Sequence, residues 1–268
     1  MTRLCRYYGV TRGGFYAWRD RAASAHAEQD RCLLEEITRL FTAHGGKYGS
    51  PRIHHAMSTA GWAVSRRRVA RLMRAAGLRA KAVLGYRAKA SAHRFYAQHP
   101  NRLRTTKATA PDQIWVGDIT YLAVAGQWRY LAVVMDQYSR RVLAWSLTRR
   151  RDARVTRSVL SLAVTRRRPA AGLIFHSDRG SEYLAAPFGD RVAALGLLQS
   201  ASTHGPGDNA HMESFFHSLK AEVTRGVTFT TDTALRRELD EYVRYYNRRR
   251  QHSALGYHSP IAFERLIL

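Results

Sequence analysis

Three carboxylates in this sequence stand where a folded chain needs a reason for them. Asp118 lies inside Ile114-Trp115-Val116-Gly117-Asp118-Ile119-Thr120-Tyr121-Leu122, and Asp178 follows an apolar run in Phe175-His176-Ser177-Asp178-Arg179-Gly180. Glu213 opens a helical pattern in Asp208-Asn209-Ala210-His211-Met212-Glu213-Ser214-Phe215-Phe216, with 34 residues between it and Asp178. An acid within a β run is disfavoured by propensity and costly to bury without a cation. A divalent metal removes that objection. Hard oxygen ligands gathered from separate elements are what Mg²⁺ needs when it must also hold phosphate oxygens, and Mn²⁺ should be able to substitute. Two such ions about 3.5–4 Å apart activate an attacking oxygen and stabilise the leaving one at phosphorus. Attack by water leaves a nick, whereas attack by a DNA 3′-hydroxyl joins strands.

Each acid also has a plainer reading. Asp178 alone could be a turn residue, and Glu213 a first-turn acid complementing the helix dipole. Asp118 is the hardest to explain away. Asp136 is a candidate fourth ligand, although an acid at a strand end usually forms a turn; His176 either orients the site or packs. Asp112, Glu182 and Asp190 read as surface acids. Glu213, His217 and Lys220 fall at i, i+4 and i+7 and so share one helix face, which suits metal binding beside a DNA backbone, while Phe215, Phe216 and Leu219 face inward. Asp208 or Asn209 would cap that helix. No Gly-rich loop ending in Lys-Ser/Thr appears, which argues against a nucleotide-fuelled enzyme.

Elements that could position these residues follow from periodicity. A strand is expected near 113–123, with Ile114, Val116, Asp118, Thr120 and Leu122 on one face. Two further strands, about 130–136 and 141–146, complete an antiparallel meander. A helix over about 153–167, a strand at 173–177, a helix near 187–195 and a short strand at 197–200 make a mixed α/β sheet. After Glu213 the chain reads as mainly helical, with a long helix near 232–249. Upstream, the first 22 residues read as two short helices with Gly9 at the turn and Thr11 as a cap, their apolar side formed by Leu4, Tyr8, Val10, Phe15 and Trp18. A helix over about 28–44 follows. Ser50-Pro51 then caps a helix that turns at Gly61, and Ser65 caps Arg66–Arg74, stopped by Gly77. In this second helix-turn-helix pattern Val69, Leu72 and Met73 face inward, leaving Arg67, Arg68, Arg71 and Arg74 for groove or phosphate contact. Residues 82–111 lack a sustained period and read as a linker. The expected order is therefore a helical DNA-binding region (1–81), the linker, a catalytic core (112–222) and a helical extension (223–268).

Charge agrees with that division. The 268 residues carry a formal net charge of +24 and are 45% hydrophobic, which permits one substantial core and a smaller one. Residues 1–110 hold 22 Lys and Arg against 5 Asp and Glu, and residues 111–268 hold 22 against 15. A basic front half and a back half richer in acids point to polyanion binding in one part and metal chemistry in another. Cys5 and Cys32 match no zinc spacing, and there is neither a membrane-length apolar stretch nor a leader-like start, so the expectation is a reduced, cytoplasmic, nucleoid-associated protein.

These motifs together resemble the OrfB-type transposases of bacterial insertion sequences (insertion sequence family three), which share an acidic-triad core with retroviral integrases. The resemblance runs from Leu4-Cys5-Arg6 and Tyr16-Ala17-Trp18 through Tyr48-Gly49-Ser50-Pro51-Arg52-Ile53, Val69-Ala70-Arg71-Leu72-Met73 and Gly77-Leu78 to the three acid motifs and Leu219-Lys220. A tail signature follows: Tyr246-Asn247, Arg250, His252, Leu255-Gly256, Ser259-Pro260 and Phe263. The resemblance implies a ribonuclease-H-like mixed five-stranded sheet with flanking helices, preceded by an all-α helix-turn-helix region. It also implies Asp118, Asp178 and Glu213 as the catalytic triad, Lys220 as a contact to the element end, and a companion upstream frame fused by frameshifting into an oligomeric enzyme. Gly117 stands where the family often has Thr, and Glu182 where Gln is usual. The alternatives are a structure-specific nuclease of the same fold and a catalytically silent DNA-binding remnant.

Overall fold

The strand that carries Asp118 runs Ile114–Val124 (β1) and occupies the centre of a five-stranded sheet ordered β3-β2-β1-β4-β5. The computed structural model describes residues 2–20, 24–80, 100–202 and 209–267. The chain divides into two compact units, Met1–Lys81 and Ala82–Leu268.

In the second unit β2 (Gln127–Asp136) and β3 (Val142–Thr148) run antiparallel to β1 and to each other, while β4 (Ile174–Ser177) and β5 (Leu198–Ala201) run parallel. The tight β1–β2 turn places Ala125 at φ 48° and Gly126 at φ 74°. Two consecutive left-handed residues match the right-handed twist of the strands they join. Alternation along β1 separates two apolar layers. Val116, Leu122 and Val124 pack with α9 (Ala210–Leu219) and α10 (Asp232–Arg248), whereas Trp115 packs with α6 (Ala153–Arg167) and α8 (Ala186–Ala194). The C-terminal α11 (Pro260–Ile267) lies within the helical extension expected over 223–268. A four-residue helix, α7 (Ser181–Leu184), lies outside the expected pattern and is too short for periodicity to reveal.

The family's tail signature proves to be a set of structural fasteners. Asn247 grips the start of β3 twice, its Oδ1 accepting from Val142 N at 2.9 Å and its Nδ2 donating to Val142 O at 2.8 Å. Arg250 forms a buried ion pair with Glu222 at 2.7 Å. Gly256 adopts φ 60°, and Pro260 opens α11. From α11, the buried Glu264 receives Arg141 at 2.6 Å and Arg167 at 3.0 Å. Residues 100–104 are seated on β5: Arg102 N donates to Ser200 Oγ at 3.0 Å and Ala201 N to Pro100 O at 3.3 Å. Residues 82–99 lie outside the described residues.

The first unit comprises α1 (Thr2–Tyr7), α2 (Arg12–Arg19), α3 (Ala25–Ala43), α4 (Ser50–Thr59) and α5 (Arg66–Ala75). Leu33, Ile37, Tyr48, Ile53, Met57, Val69, Leu72 and Met73 form its core. Thr11 and Ser65 cap as expected, their hydroxyls accepting from Gly14 N and Arg68 N. Two expectations fail here. Ser50 is the first helical residue and Gly49 the cap, without a side-chain cap bond, because proline at the second helical position shifts the start by one residue. The apolar side expected of α1 and α2 is not buried: Leu4, Tyr8, Val10 and Trp18 are exposed, and Cys5 is the buried residue among those described. Two helices of six and eight residues are too short to hold those side chains against a core of their own.

Gly117 has a local explanation. A Cβ there would clash with Cζ of Phe175, a fully buried ring wedged against Tyr183 and Phe188. Phe175 fills the volume a side chain at 117 would use. Gly117→Ala should therefore destabilise the chain by about 1–3 kcal/mol through overpacking, read as a lower urea midpoint at unchanged slope. Phe175→Leu in the same chain should recover part of the loss.

Candidate active site

Parallel register brings two of the three acids together. Gly117 pairs with Ser177 at the end of the β1–β4 ladder, so the next residues, Asp118 and Asp178, leave the ladder side by side at the C-terminal edge of β4. Adjacent strands are about 4.8 Å apart. Each carboxylate is partly held by backbone: Ile119 N donates to Asp118 Oδ1 at 2.7 Å, and Gly180 N to Asp178 Oδ1 at 2.9 Å. Burial pushes the Asp118 carboxyl up to about 8, and the neighbouring Asp178 adds to the shift. Burial likewise raises Asp178, opposed by its bond from Gly180, with Glu182 raising it further and Arg151 lowering it. Two acids crowded into one dry corner hold on to a proton.

Glu213 stands in the first turn of α9, where burial raises its carboxyl and His217, one turn on, opposes the shift. Among the described residues no three His, Cys, Asp or Glu side chains come together as a metal-holding cluster. The Asp pair is thus assembled, and Glu213 sits with His217 on the adjoining helix. Asn209 occupies the N-cap position but makes no capping bond; its Nδ2 instead donates to Gly117 O at 3.3 Å, tying the start of α9 to β1 beside Asp118. Asp208, the other capping candidate, lies outside the described residues. Lys220 falls where α9 passes into a π-helical turn, Lys220–Thr224. Its ammonium lies 4.4 Å from the centre of the Tyr121 ring. Burial lowers the lysine, and the charge of Asp118 opposes that, which places Lys220 within electrostatic reach of the acid pair.

Other candidates resolve differently. Asp136 is a turn former: it is fully buried and accepts from Ser139 N and Asp112 N, both at 2.7 Å. His176 is fully buried with Nδ1 2.9 Å from Ser200 Oγ on β5, a bond that braces the strands. Glu182 and Asp112 are not the surface acids their sequence context suggested. Glu182 is 4% exposed and paired with Arg151 at 2.6 Å, and Asp112 accepts from Arg167 at 2.6 Å and from the Trp115 indole at 2.9 Å. Asp190 is exposed. Sequence reasoning missed Arg151, which stands in the run Arg149-Arg150-Arg151 with nothing to single it out; its charge acts on Asp118, Asp178 and Glu182 together.

On α5 the four arginines divide. Arg68 and Arg71 both pair with one carboxylate, Asp30 on α3, at 2.7 and 2.6 Å, and the Arg71 side chain stays 54% exposed. Arg67 and Arg74 are exposed and make no described ion pair. Asp30 lies within reach of the helix face one turn apart, which sets Arg68 and Arg71 apart from the other two.

Comparison with known proteins accords with this architecture. Residues 28–84 match the HTH-like domain family, and residues 108–206 and 213–268 match two integrase core domain families. The chain is 36% identical over 263 residues to the insertion element IS600 uncharacterized 31 kDa protein of Shigella sonnei, covering 97% of each chain. It is 35% identical over 271 residues to the transposase InsF for insertion sequence IS3A of Escherichia coli, covering 97% of this chain and 92% of that one. It is also 35% identical over 254 residues to the transposase for insertion sequence element IS904 of Lactococcus lactis, covering 91% and 98%. A solved simian T-cell lymphotropic virus intasome in complex with a PP2A regulatory subunit shares the fold at TM-score 0.51 and 15% identity, over 85% of this chain and 74% of that one. With an HTH-like domain ahead of an integrase core, and relatives matched along nearly their whole length, the chain belongs to the IS3-type transposases of bacterial insertion sequences.

Proposed function

We propose that this chain cuts the ends of its insertion element and transfers the 3′-hydroxyl to target DNA, using Asp118, Asp178 and Glu213 with divalent metal. The observation that carries the reading is the acid pair brought side by side where the parallel β1–β4 ladder ends, where burial, with Asp178 adding to it, keeps Asp118 protonated up to about pH 8. A hard divalent cation fits such a pair of oxygen donors and removes its repulsion. Asp118 and Asp178 would hold it, with Glu213 completing the set from α9. Bound there, Mg²⁺ or Mn²⁺ supplies Lewis-acid stabilisation of an in-line displacement at phosphorus.

The chain's own residues then divide the work. Lys220 and His217 lie on the Glu213 side, and the lysine would hold a phosphate of the element end. Arg67 and Arg74 present unpaired charge on α5, suited to sequence reading or phosphate contact in the first unit. DNA is the partner throughout, and an oligomer on DNA, with or without an upstream-frame companion, belongs to the same proposal. No helix among the described residues is long and apolar enough to cross a membrane.

Removal of an acid tests the triad. Asp118→Asn or Glu213→Gln should cut strand cleavage and transfer by at least about 1,000-fold, a loss of roughly 4 kcal/mol of transition-state stabilisation, while binding of element ends stays within a few-fold. Full activity in either variant would sink the assignment.

A second test uses pH. In the unfolded chain Asp118 ionises near its usual 3.8, whereas in the folded chain it keeps its proton up to about 8. The folded state therefore binds the extra proton between those values, and metal-free stability should fall as pH rises through that window and level off above it. Asp118→Asn should flatten this decline in thermal melts. Mg²⁺ must displace the proton, so its stabilising shift in Tm should be larger at about pH 9 than at about pH 6. A metal shift independent of pH, or retained in Asp118→Asn, would count against the pair as the ligand.

A further inference from the structure

Two large aromatic side chains of the β1–β2 hairpin lie on the surface, on the face of the sheet opposite Asp118. Tyr121, three residues along β1 from Asp118, is 53% exposed, and Trp128 on β2 is 57% exposed. Ala123 pairs with Trp128 and Tyr121 with Tyr130, so Tyr121 and Trp128 are diagonal neighbours on one face of the β1–β2 hairpin. Their ring centres are 5.0 Å apart in an edge-to-face arrangement. Lys220 closes the group, its ammonium 4.4 Å from the Tyr121 ring centre. A cross-strand aromatic pair adds some stability to a hairpin. That role alone does not call for a cation beside the rings in a chain already at +24.

We infer that Tyr121, Trp128 and Lys220 form a stacking platform for an unpaired DNA base next to the cleaved strand. Flat exposed rings take up a base of any sequence, and the adjacent ammonium takes the phosphate that joins it to the next nucleotide. The cation over Tyr121 also leaves the indole as the open face of the pair. The platform begins where the β1–β4 ladder ends: β4 pairs only with Ile114–Gly117 and the next bridge on that side is Val124 to Phe229, so residues 118–123 have no ladder partner there among the described residues. A strand end splayed there would be held beside Lys220 at the same stretch of β1 that carries Asp118, reached from the opposite face of the sheet, while its complement is released. This rests on reading the chain as a DNA strand-transfer enzyme, but the platform itself is a binding site and needs neither metal nor turnover.

The test is binding of the full-length chain without metal, in an Asp118→Asn background. The probes are a labelled blunt duplex and the same duplex with a short 3′ overhang. The overhang should bind more tightly, and Trp128 fluorescence should be quenched, a signal lost in Trp128→Phe. Trp128→Ala should weaken overhang binding by about 5- to 150-fold, the range for loss of one base–aromatic stack, and Tyr121→Ala, which removes the ring that orients Trp128 and Lys220, should weaken it as well. Tyr121→Phe should keep it. The loss should be the same at low and high salt, since no phosphate contact is removed. Equal affinity for both probes, or an overhang preference that survives both alanine variants, overturns the platform. If the alanine variants fail to fold, the Trp128 signal decides: no quenching on overhang binding overturns it equally. A platform that fails while the triad variants lose cleavage leaves the transposase reading in place.

Discussion

Repulsion between two carboxylates at the same level of neighbouring parallel strands is the constraint on which this site depends. At a strand spacing of about 4.8 Å, in a corner with little water, two negative charges cannot both persist unaided. The backbone N–H groups of Ile119 and Gly180 supply one bond to each carboxyl. The remaining imbalance is met by a proton on Asp118 and by the charges of Arg151 and Lys220. Sheet register makes this arrangement obligatory. A slip of one residue in β1 would turn Asp118 into the Trp115 layer and bring Val116 and Leu122 out of theirs. The apolar residues that fix the register therefore also fix the acid.

The C-terminal extension serves the same end from a distance. Arg250 and Glu222 are both 6% exposed, and their pair joins the end of α10 to the π-helical turn that carries Lys220. Loss of one partner from such a buried pair costs about 3–5 kcal/mol, because the other charge stays behind without compensation. Asn247 secures β3, and Glu264 gathers Arg141 and Arg167 beneath α11. Of these residues Arg250 bears directly on the helix that presents Glu213, since it also donates to Ser218 Oγ on α9 at 3.2 Å. The tail signature is better understood as scaffold for the site than as part of its chemistry.

Much of this was legible in the sequence, for reasons that can be named. Period-2 alternation around Asp118 marked β1, and hydroxyl caps at Thr11 and Ser65 marked two helix starts, because both signals are local. The Asp118–Asp178 pairing could not be read, since strand order and register arise from contacts 60 residues apart. Nor could the partners of charged side chains. Arg68 and Arg71 looked available because nothing in α5 reveals Asp30 on α3. Glu182 and Asp112 looked like surface acids because nothing near them in sequence reveals Arg151 and Arg167 as their partners. Exposure of Leu4, Tyr8 and Trp18 likewise escaped, because an apolar stripe on a short helix predicts burial only if another surface exists to cover it.

Glu182 gives the clearest case of a departure that the fold absorbs. A glutamate in place of the family's usual glutamine sets a third negative charge beside Asp178, which by itself would worsen the repulsion. Here Arg151 Nε and Nη2 both reach Glu182 Oε1, at 2.8 and 2.6 Å, so the added charge arrives with its counterion. With Asp118 protonated, the charges of Asp178 and Glu182 are offset by those of Arg151 and Lys220. The charge of Glu182 is therefore balanced within this fold by the arginine it pairs with.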